Sequence, residues 1–336
     1  MTTLLSDLHW VNRFTSLPEA YFSRVRAEPL HAPRMLHFND ALAAHLGLPP
    51  AASADAELLA VMAGNVPSPG GDAIATVYAG HQFGHFVPQL GDGRALLLGQ
   101  VRNAQGELFE IQLKGAGRTP YSRFADGRAV LRSSIREYLC SEAMHGLSIP
   151  TTRALCLVGS PQLVAREQDE TAAIVCRVAP SFVRFGHFEY FYYRRQHELL
   201  APLADHVIEA HFPQFAGFSN RYAAWLTEVV ERTARLMAQW QTVGFCHGVM
   251  NTDNFSALGL TLDYGPFGFL DGFDSGHICN HSDEAGRYAY DQQPRIGYWN
   301  CSRLLQATLP LLHESPEQAL EIAEGILGRY PPQYAE

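Results

Sequence analysis

The sequence is poor in positive charge. Its 336 residues carry 25 Lys and Arg against 34 Asp and Glu, a formal net charge of −9. A protein held to nucleic acid by bulk electrostatics needs a basic face, so no nucleic-acid partner is expected. No run of about 18 apolar residues occurs, so no membrane span is expected either. The six cysteines (Cys140, Cys156, Cys176, Cys246, Cys279 and Cys301) form no C-x-x-C pair. Several stand in apolar runs, where cysteine behaves as a small buried hydrophobe, and neither a disulfide framework nor a zinc site is indicated. Residues 1–14 contain Asp7 and no apolar stretch behind a basic start, unlike a secretory signal, which leaves the cytoplasm as the expected compartment. There is no internal repeat, low-complexity tract or long charge block.

What is present is an ordinary globular composition, 47% hydrophobic and 18% charged, in a chain long enough for two lobes with their own cores. Residues 1–70 read as a loop-rich N-terminal extension with short helices such as 39–46. Gly64, Pro67, Pro69, Gly70 and Gly71 mark a turn-rich linker at 63–72. Residues 95–101 read as a strand, and 109–114 alternate apolar and polar as a half-buried strand does. Val130, Leu131, Ile135, Leu139 and Ala143 give helical spacing over 128–145, with Gly146 as a C-cap. Apolar runs at 154–158 and 172–178 predict two more strands, and Pro180 breaks the chain. Beyond it the pattern turns helical at 189–203, 222–243, 296–312 and 316–327, with short strands at 255–258 and 260–262. Strands with one helix among them, a break, then mostly helices give an α+β, protein-kinase-like two-lobed fold. The expected lobes are 71–180, β-rich, and 181–336, helical; a doubly wound sheet does not fit, because the helices cluster in the second half.

The densest chemistry lies at 246–254, Cys-His-Gly-Val-Met-Asn-Thr-Asp-Asn, followed by Asp263-Tyr264-Gly265. Kinases carry H-R-D-x-x-x-x-N and then D-F-G. His247 and Asn254 keep the offset from His to Asn, and Asp263 opens a D-F-G variant. Gly248 and Val249 stand where Arg and the catalytic Asp belong, so the metal-binding half is present and the usual base is not. Asn254 and Asp263 supply hard oxygens suited to Mg²⁺ bridged by phosphates. Each taken alone would read as a turn residue beside glycine. Asp253, four residues past Val249, is the nearest carboxylate able to take a proton from an attacking hydroxyl; otherwise it only shapes the turn. His247 in such a motif holds loop geometry more often than it acts as the base.

Lys114 ends its alternating strand where kinases place a phosphate-binding lysine, and Glu137 lies mid-helix in the next element, where its ion-pair partner would be. A surface lysine and a solvated glutamate are the alternative. Gly91, Gly93 and Arg94 could form a phosphate-cradling loop or simply a tight turn. Asp126 and Gly127 precede a helix start, where free backbone N–H groups could meet a ligand. Arg177 and Arg184 bracket the predicted hinge. Guanidiniums there suit a terminal phosphate better than a purine, which would reverse the nucleotide and present its α-phosphate to the nucleophile; both could equally be surface arginines. His81 and His85 share i, i+4 spacing, but Gly84 disfavours a helix and no third metal ligand is evident.

The strings at 78–99, 113–139, 247–271 and 280–294 resemble selenoprotein O, the family of pseudokinase-fold protein adenylyltransferases, and the likeness runs from about residue 10 to the end of the chain. The resemblance implies a kinase-like fold that binds ATP reversed and moves AMP to Ser, Thr or Tyr hydroxyls of proteins. It implies Asp253 as proton acceptor and Asn254 and Asp263 on Mg²⁺. Lys114, Arg177 and Arg184 would hold phosphates, and Glu137 would pair with Lys114. Gly91, Gly93, Arg94, Asp126 and Gly127 would contact the nucleotide. Redox proteins are the implied acceptors. Uridylylation with UTP and Mn²⁺, γ-phosphate transfer by a true kinase, and a catalytically silent ATP-binding scaffold are the alternatives. The family usually runs on to a cysteine or selenocysteine near the C-terminus, so this chain is expected to be truncated relative to it.

Overall fold

The structure, a computed structural model, describes residues 4–336. Residues 1–3, the start of the N-terminal segment read above, lie outside the described residues. The chain divides into two compact units.

The first unit gathers the described residues up to Val77 with Leu90–Gly146 and Thr152–Phe182. Its centre is a nine-stranded antiparallel sheet whose main path runs Phe22–Arg24, Ile74–Thr76, Ala95–Arg102, Leu108–Lys114, Asp169–Ala179, Arg153–Ala165, Arg34–Phe38. The strand Leu108–Lys114 shows what alternation does here. Ile111 and Leu113 point into the larger core with Cys176, Val178, Leu42, Leu46 and Leu58. Glu110, Gln112 and Lys114 therefore share the opposite face, because successive side chains alternate across a strand. On the neighbouring strand Arg177 stands opposite Gln112, and Val175 opposite Lys114. The helix Leu131–Gly146 covers that face, with Tyr138 packed on Ala154, Leu157, Ala173 and Val175.

Two expectations shift in this unit. Residues 1–70 supply three strands of the sheet, His9–Trp10, Phe22–Arg24 and Arg34–Phe38, along with the helices Asp40–Leu46 and Ala56–Met62. Strands of two to five residues are too short to show a period. The helix read from 128 begins at Leu131, because Ala129–Val130 pair with Ala172 and Ala173 as a short strand first.

The second unit comprises Tyr78–Gln89, Leu147–Thr151 and Val183–Glu336. Its longest helix, Arg221–Thr242, is capped by Asn220, whose side chain accepts from the Ala223 N–H at 3.0 Å. It buries Trp225, Leu226, Val229, Val230, Leu236, Met237 and Trp240. Gln293–Leu312 and Pro316–Leu327 follow the predicted helices closely. The stretch 189–203 is not one helix: Phe185–Tyr193 ends at a turn in which Arg195 has φ 60°, and Leu200–His211 starts afresh. Residues 255–258 and 260–262 make only isolated bridges, Phe255 to Thr261 among them. The antiparallel pair is instead Phe245–Cys246 with Gly268–Phe269, flanking the loop of interest. A hairpin, Gly80–Gln82 with His85–Val87, belongs to this unit. Among the described residues, no helix is long and apolar enough to cross a membrane.

Candidate active site

Each unit carries one cluster of the predicted residues. In the first, the polar face of the Leu108–Lys114 strand meets the helix at Glu137. Lys114 Nζ lies 2.7 Å from Glu137 Oε2, and Arg177 Nη1 lies 3.2 Å from Oε1, with all three side chains buried. One carboxylate thus faces two cations. Arg177 also donates through Nη2 to Gln112 Oε1, and its guanidinium lies over the Phe182 ring at 5.2 Å. Lys114 is the chain's only lysine, a signal the sequence offered directly. Four residues back on the same strand, Glu110 accepts from the Phe182 N–H at 2.6 Å, and burial pushes its carboxyl up to about 8 against that bond and the Ser181 hydroxyl.

Gly91, Gly93 and Arg94 form a turn held from below. Asp92 Oδ2 accepts from the Thr76 N–H at 2.9 Å and the Thr76 hydroxyl at 2.6 Å. The Thr119 hydroxyl donates to Asp92 O and the Ser122 hydroxyl to Gly93 O. Gly91 has φ 140°, and a Cβ there would lie 2.6 Å from the Tyr121 ring, so only glycine fits. Arg94 is exposed and its carbonyl accepts from Gly115 N–H at 2.7 Å. Asp126 binds Arg166 Nη1 at 2.7 Å and accepts from the Arg128 N–H at 2.9 Å; the Arg166 hydrogen bond holds its carboxyl below the usual range. Arg128, Asp126, Arg118 and Glu28 line a cavity of about 360 Å³.

The second unit's cluster centres on Arg184, the residue just before the helix Phe185–Tyr193. Its Nη1 donates to Asp263 Oδ2 at 2.6 Å and to the Asp253 carbonyl at 2.7 Å, and lies 3.5 Å from Asn254 Oδ1. Its guanidinium stands 5.2 Å over the Tyr78 ring. Asp263 has φ 57°, a left-handed conformation that its short polar side chain tolerates. Asn254 is oriented by its own amide, which donates to Val249 O at 2.9 Å. His247 is structural, as its motif position implies: Nε2 bonds Leu262 O at 3.0 Å, Nδ1 accepts from the Val249 N–H, and the ring stacks on Trp240.

Asp253 sits on the single turn Thr252–Asn254 and is 8% exposed. Oδ2 accepts from Gln82 Nε2 at 3.3 Å, and Oδ1 is buried with no hydrogen-bond partner. Burial pushes its carboxyl up to about 7, opposed by the Arg184 guanidinium and the Gln82 amide. Arg177 and Arg184, read as a pair, have different partners: Glu137 and Gln112 for one, Asp263 and Asp253 for the other.

The sequence pattern of a family described as "Protein adenylyltransferase SelO" matches residues 4–335. This chain belongs to the SelO family. It is 62% identical to "Protein nucleotidyltransferase YdiU" of Methylococcus capsulatus over 98% of its own length and 65% of that protein. The proteins of the same name from Thiobacillus denitrificans and Myxococcus xanthus are 58% and 57% identical over 97% and 98% of this chain, each covered over 66% of its length. The chain therefore spans about two-thirds of the curated relatives it matches. A Toxoplasma gondii specific rhoptry antigen kinase domain aligns over 77% of the chain and 84% of its own, at 12% identity and a TM-score of 0.34. ROP2 from the same organism, titled a virulence factor with a protein-kinase fold and no enzymatic activity, aligns over 78% and 76%, also at 12% identity, with a TM-score of 0.33. Similarity that low carries no weight.

For a SelO-family chain the donor set fits a hard divalent cation. Three oxygens, from Asp263, Asn254 and the Asp253 main chain, converge on one cationic nitrogen of Arg184. Among the described residues, no group of three or more His, Cys, Asp or Glu side chains is placed to hold a metal. An ion taken by one carboxylate and one amide completes its shell with water and phosphate oxygens, the habit of Mg²⁺. Sequence reasoning passed over Gln112, Glu110 and Gln82. The first two were legible as the polar half of an alternating strand. Gln82 lay between two histidines that drew attention as possible ligands.

Proposed function

We propose that the chain is a protein adenylyltransferase, moving AMP from ATP to Ser, Thr or Tyr hydroxyls of proteins. The observation that carries this reading is Asp253, a buried carboxylate with one unpartnered oxygen, whose main-chain carbonyl shares Arg184 Nη1 with the side-chain oxygens of Asn254 and Asp263. It stands four residues beyond Val249, so the proton acceptor is displaced from its place in a kinase rather than lost.

In the proposed reaction the acceptor hydroxyl oxygen attacks the α-phosphorus and its proton passes to the Asp253 carboxylate. The bond from the α-phosphorus to the bridging oxygen breaks, and pyrophosphate leaves. Lys114 and Arg177, aligned by Glu137, hold phosphate oxygens, and Arg184 does the same, with ATP reversed relative to a kinase. Gly91, Gly93, Arg94, Asp126 and Gly127 contact the nucleotide. Asn254 and Asp263 hold Mg²⁺, which when bound neutralises phosphate charge. The relatives' printed name, protein nucleotidyltransferase, supports the reaction class. ATP over UTP, Mg²⁺ over Mn²⁺ and redox proteins as acceptors follow the family resemblance alone.

The test is incubation with Mg²⁺ and ATP labelled at either the α- or the γ-phosphate, reading transfer to the chain itself and to a cell extract. Label on protein only from α-labelled ATP is the expected result. Label only from γ-labelled ATP would make the chain a kinase and overturn the reading. Binding without transfer from either would leave a scaffold.

A further inference from the structure

The segment Tyr78–Gln89 carries none of the roles above, yet it runs along the turn that bears Asp253. Three consecutive residues of the hairpin grip Asn251, Thr252 and Asp253, the residue before that turn and its first two. The Phe83 N–H donates to Asn251 Oδ1 at 3.3 Å. The His81 N–H donates to the Thr252 hydroxyl at 2.7 Å. Gln82 Nε2 donates to Asp253 Oδ2 at 3.3 Å. Gly80 closes the other side: a Cβ there would lie 2.5 Å from Asp253 Oδ1 and 2.9 Å from its Cβ. The carboxylate is thus fixed by a donor on one oxygen and by backbone pressed against the other.

The hairpin is itself anchored by a buried carboxylate. His81 Nδ1 lies 2.6 Å from Glu189 Oε1, and the Thr252 hydroxyl donates to Glu189 Oε2 at 2.5 Å. Glu189 therefore ties hairpin and turn to the helix Phe185–Tyr193. Asn251 is braced in turn by the Tyr288 hydroxyl at 2.7 Å, which also accepts from Phe83 N–H at 2.8 Å.

We infer that Gln82 is a positioning residue for the reaction: with Gly80 it holds the Asp253 carboxylate in one rotamer. The inference rests on Asp253 being the proton acceptor. A reacting group displaced by about 1 Å can lose on the order of a hundredfold in rate. Gln82→Leu removes the donor at similar volume. Gly80→Ala keeps the donor and displaces Oδ1; Gly80 lies outside the left-handed region, so its backbone accepts alanine.

The experiment measures kcat and KM for AMP transfer, and the Kd of a fluorescent ATP analogue with Mg²⁺, for the wild type, Gln82→Leu, Gly80→Ala and Asp253→Ala. The expected result is a fall in kcat of about ten- to a hundredfold in both hairpin variants, with KM for ATP, Kd and thermal midpoint unchanged. Wild-type kcat in both, with Asp253→Ala inactive, overturns the inference and leaves the base assignment standing. Full activity in Asp253→Ala overturns the base assignment itself. A kcat loss that comes with weaker nucleotide binding or a lowered midpoint in both hairpin variants makes the hairpin structural and also overturns the inference. If Gln82→Leu does not fold, Gly80→Ala alone decides by the same readings.

Discussion

Arg184 donates through a single nitrogen, Nη1, to Asp263 Oδ2 at 2.6 Å and to the carbonyl oxygen of Asp253 at 2.7 Å. One guanidinium therefore ties the proposed metal ligand to the proposed base. Asp263→Ala should abolish transfer at all Mg²⁺ concentrations. Arg184→Ala should lower kcat/KM for ATP by roughly a hundredfold or more, the usual loss for a preorganised donor at a reacting phosphate. A Mg²⁺ titration of both variants checks this; wild-type activity in Asp263→Ala would remove the metal assignment.

Glu137 is shared by Lys114 and Arg177, and all three are buried. Deleting the shared carboxylate of such a set strands two buried cations and destabilises by about 3–5 kcal/mol. Glu137→Ala should shift the urea midpoint of the first unit accordingly and abolish transfer. Lys114→Met, which removes a cation and leaves the Arg177 pair, should lose activity with a smaller stability change. Equal unfolding midpoints for wild type and Glu137→Ala would contradict the shared-carboxylate account.

Glu110 gives a pH dependence of stability. Its carboxyl is raised from 4.5 to about 8, chiefly by burial. The folded state thus binds this proton more tightly than the unfolded state does. Its contribution is fully present below about 4.5 and declines as pH rises through about 8. Glu110→Gln keeps the acceptor for the Phe182 N–H and removes the titration. It should melt above wild type at pH 9 and close to it at pH 5, as thermal scans across that range would show. Parallel pH profiles for the two proteins would rule out Glu110 as the source.

Gly127 has φ 71°, and a Cβ there would lie 2.1 Å from the carbonyl carbon and oxygen of Gly117. Left-handed backbone in a residue with a Cβ costs on the order of 1–3 kcal/mol before any clash is counted. Gly127→Ala should therefore move the loop beside Asp126, weakening ATP binding as well as lowering the melting temperature. Unchanged affinity in a calorimetric titration would remove Gly127 from the nucleotide contacts.

Much of this was legible in the sequence because it depended on period. The strand ending at Lys114 announces two faces, and the structure puts Ile111 and Leu113 in the core and Glu110, Gln112 and Lys114 on the other side. The long helices Arg221–Thr242 and Gln293–Leu312 follow from apolar spacing. The short strands of the first seventy residues did not show, since two to five residues set no period and their pairing is fixed by distant partners. The grip of Gln82 on Asp253 was likewise invisible, because it joins residues 171 positions apart. The split of 189–203 turned on one left-handed residue, Arg195, which no propensity would place there.

The chain's only lysine is buried against Glu137, so its outer surface is cationic through arginine alone. Guanidinium keeps its proton to pH 12 and beyond, whereas ammonium can be acylated, methylated or conjugated at milder pH. Within this sequence, amine-directed side-chain chemistry has a single address, the proposed phosphate-binding position. An acyl-phosphate derivative of ATP that labels the chain away from its first residue will have reported, by mass alone, where the nucleotide's phosphates lie.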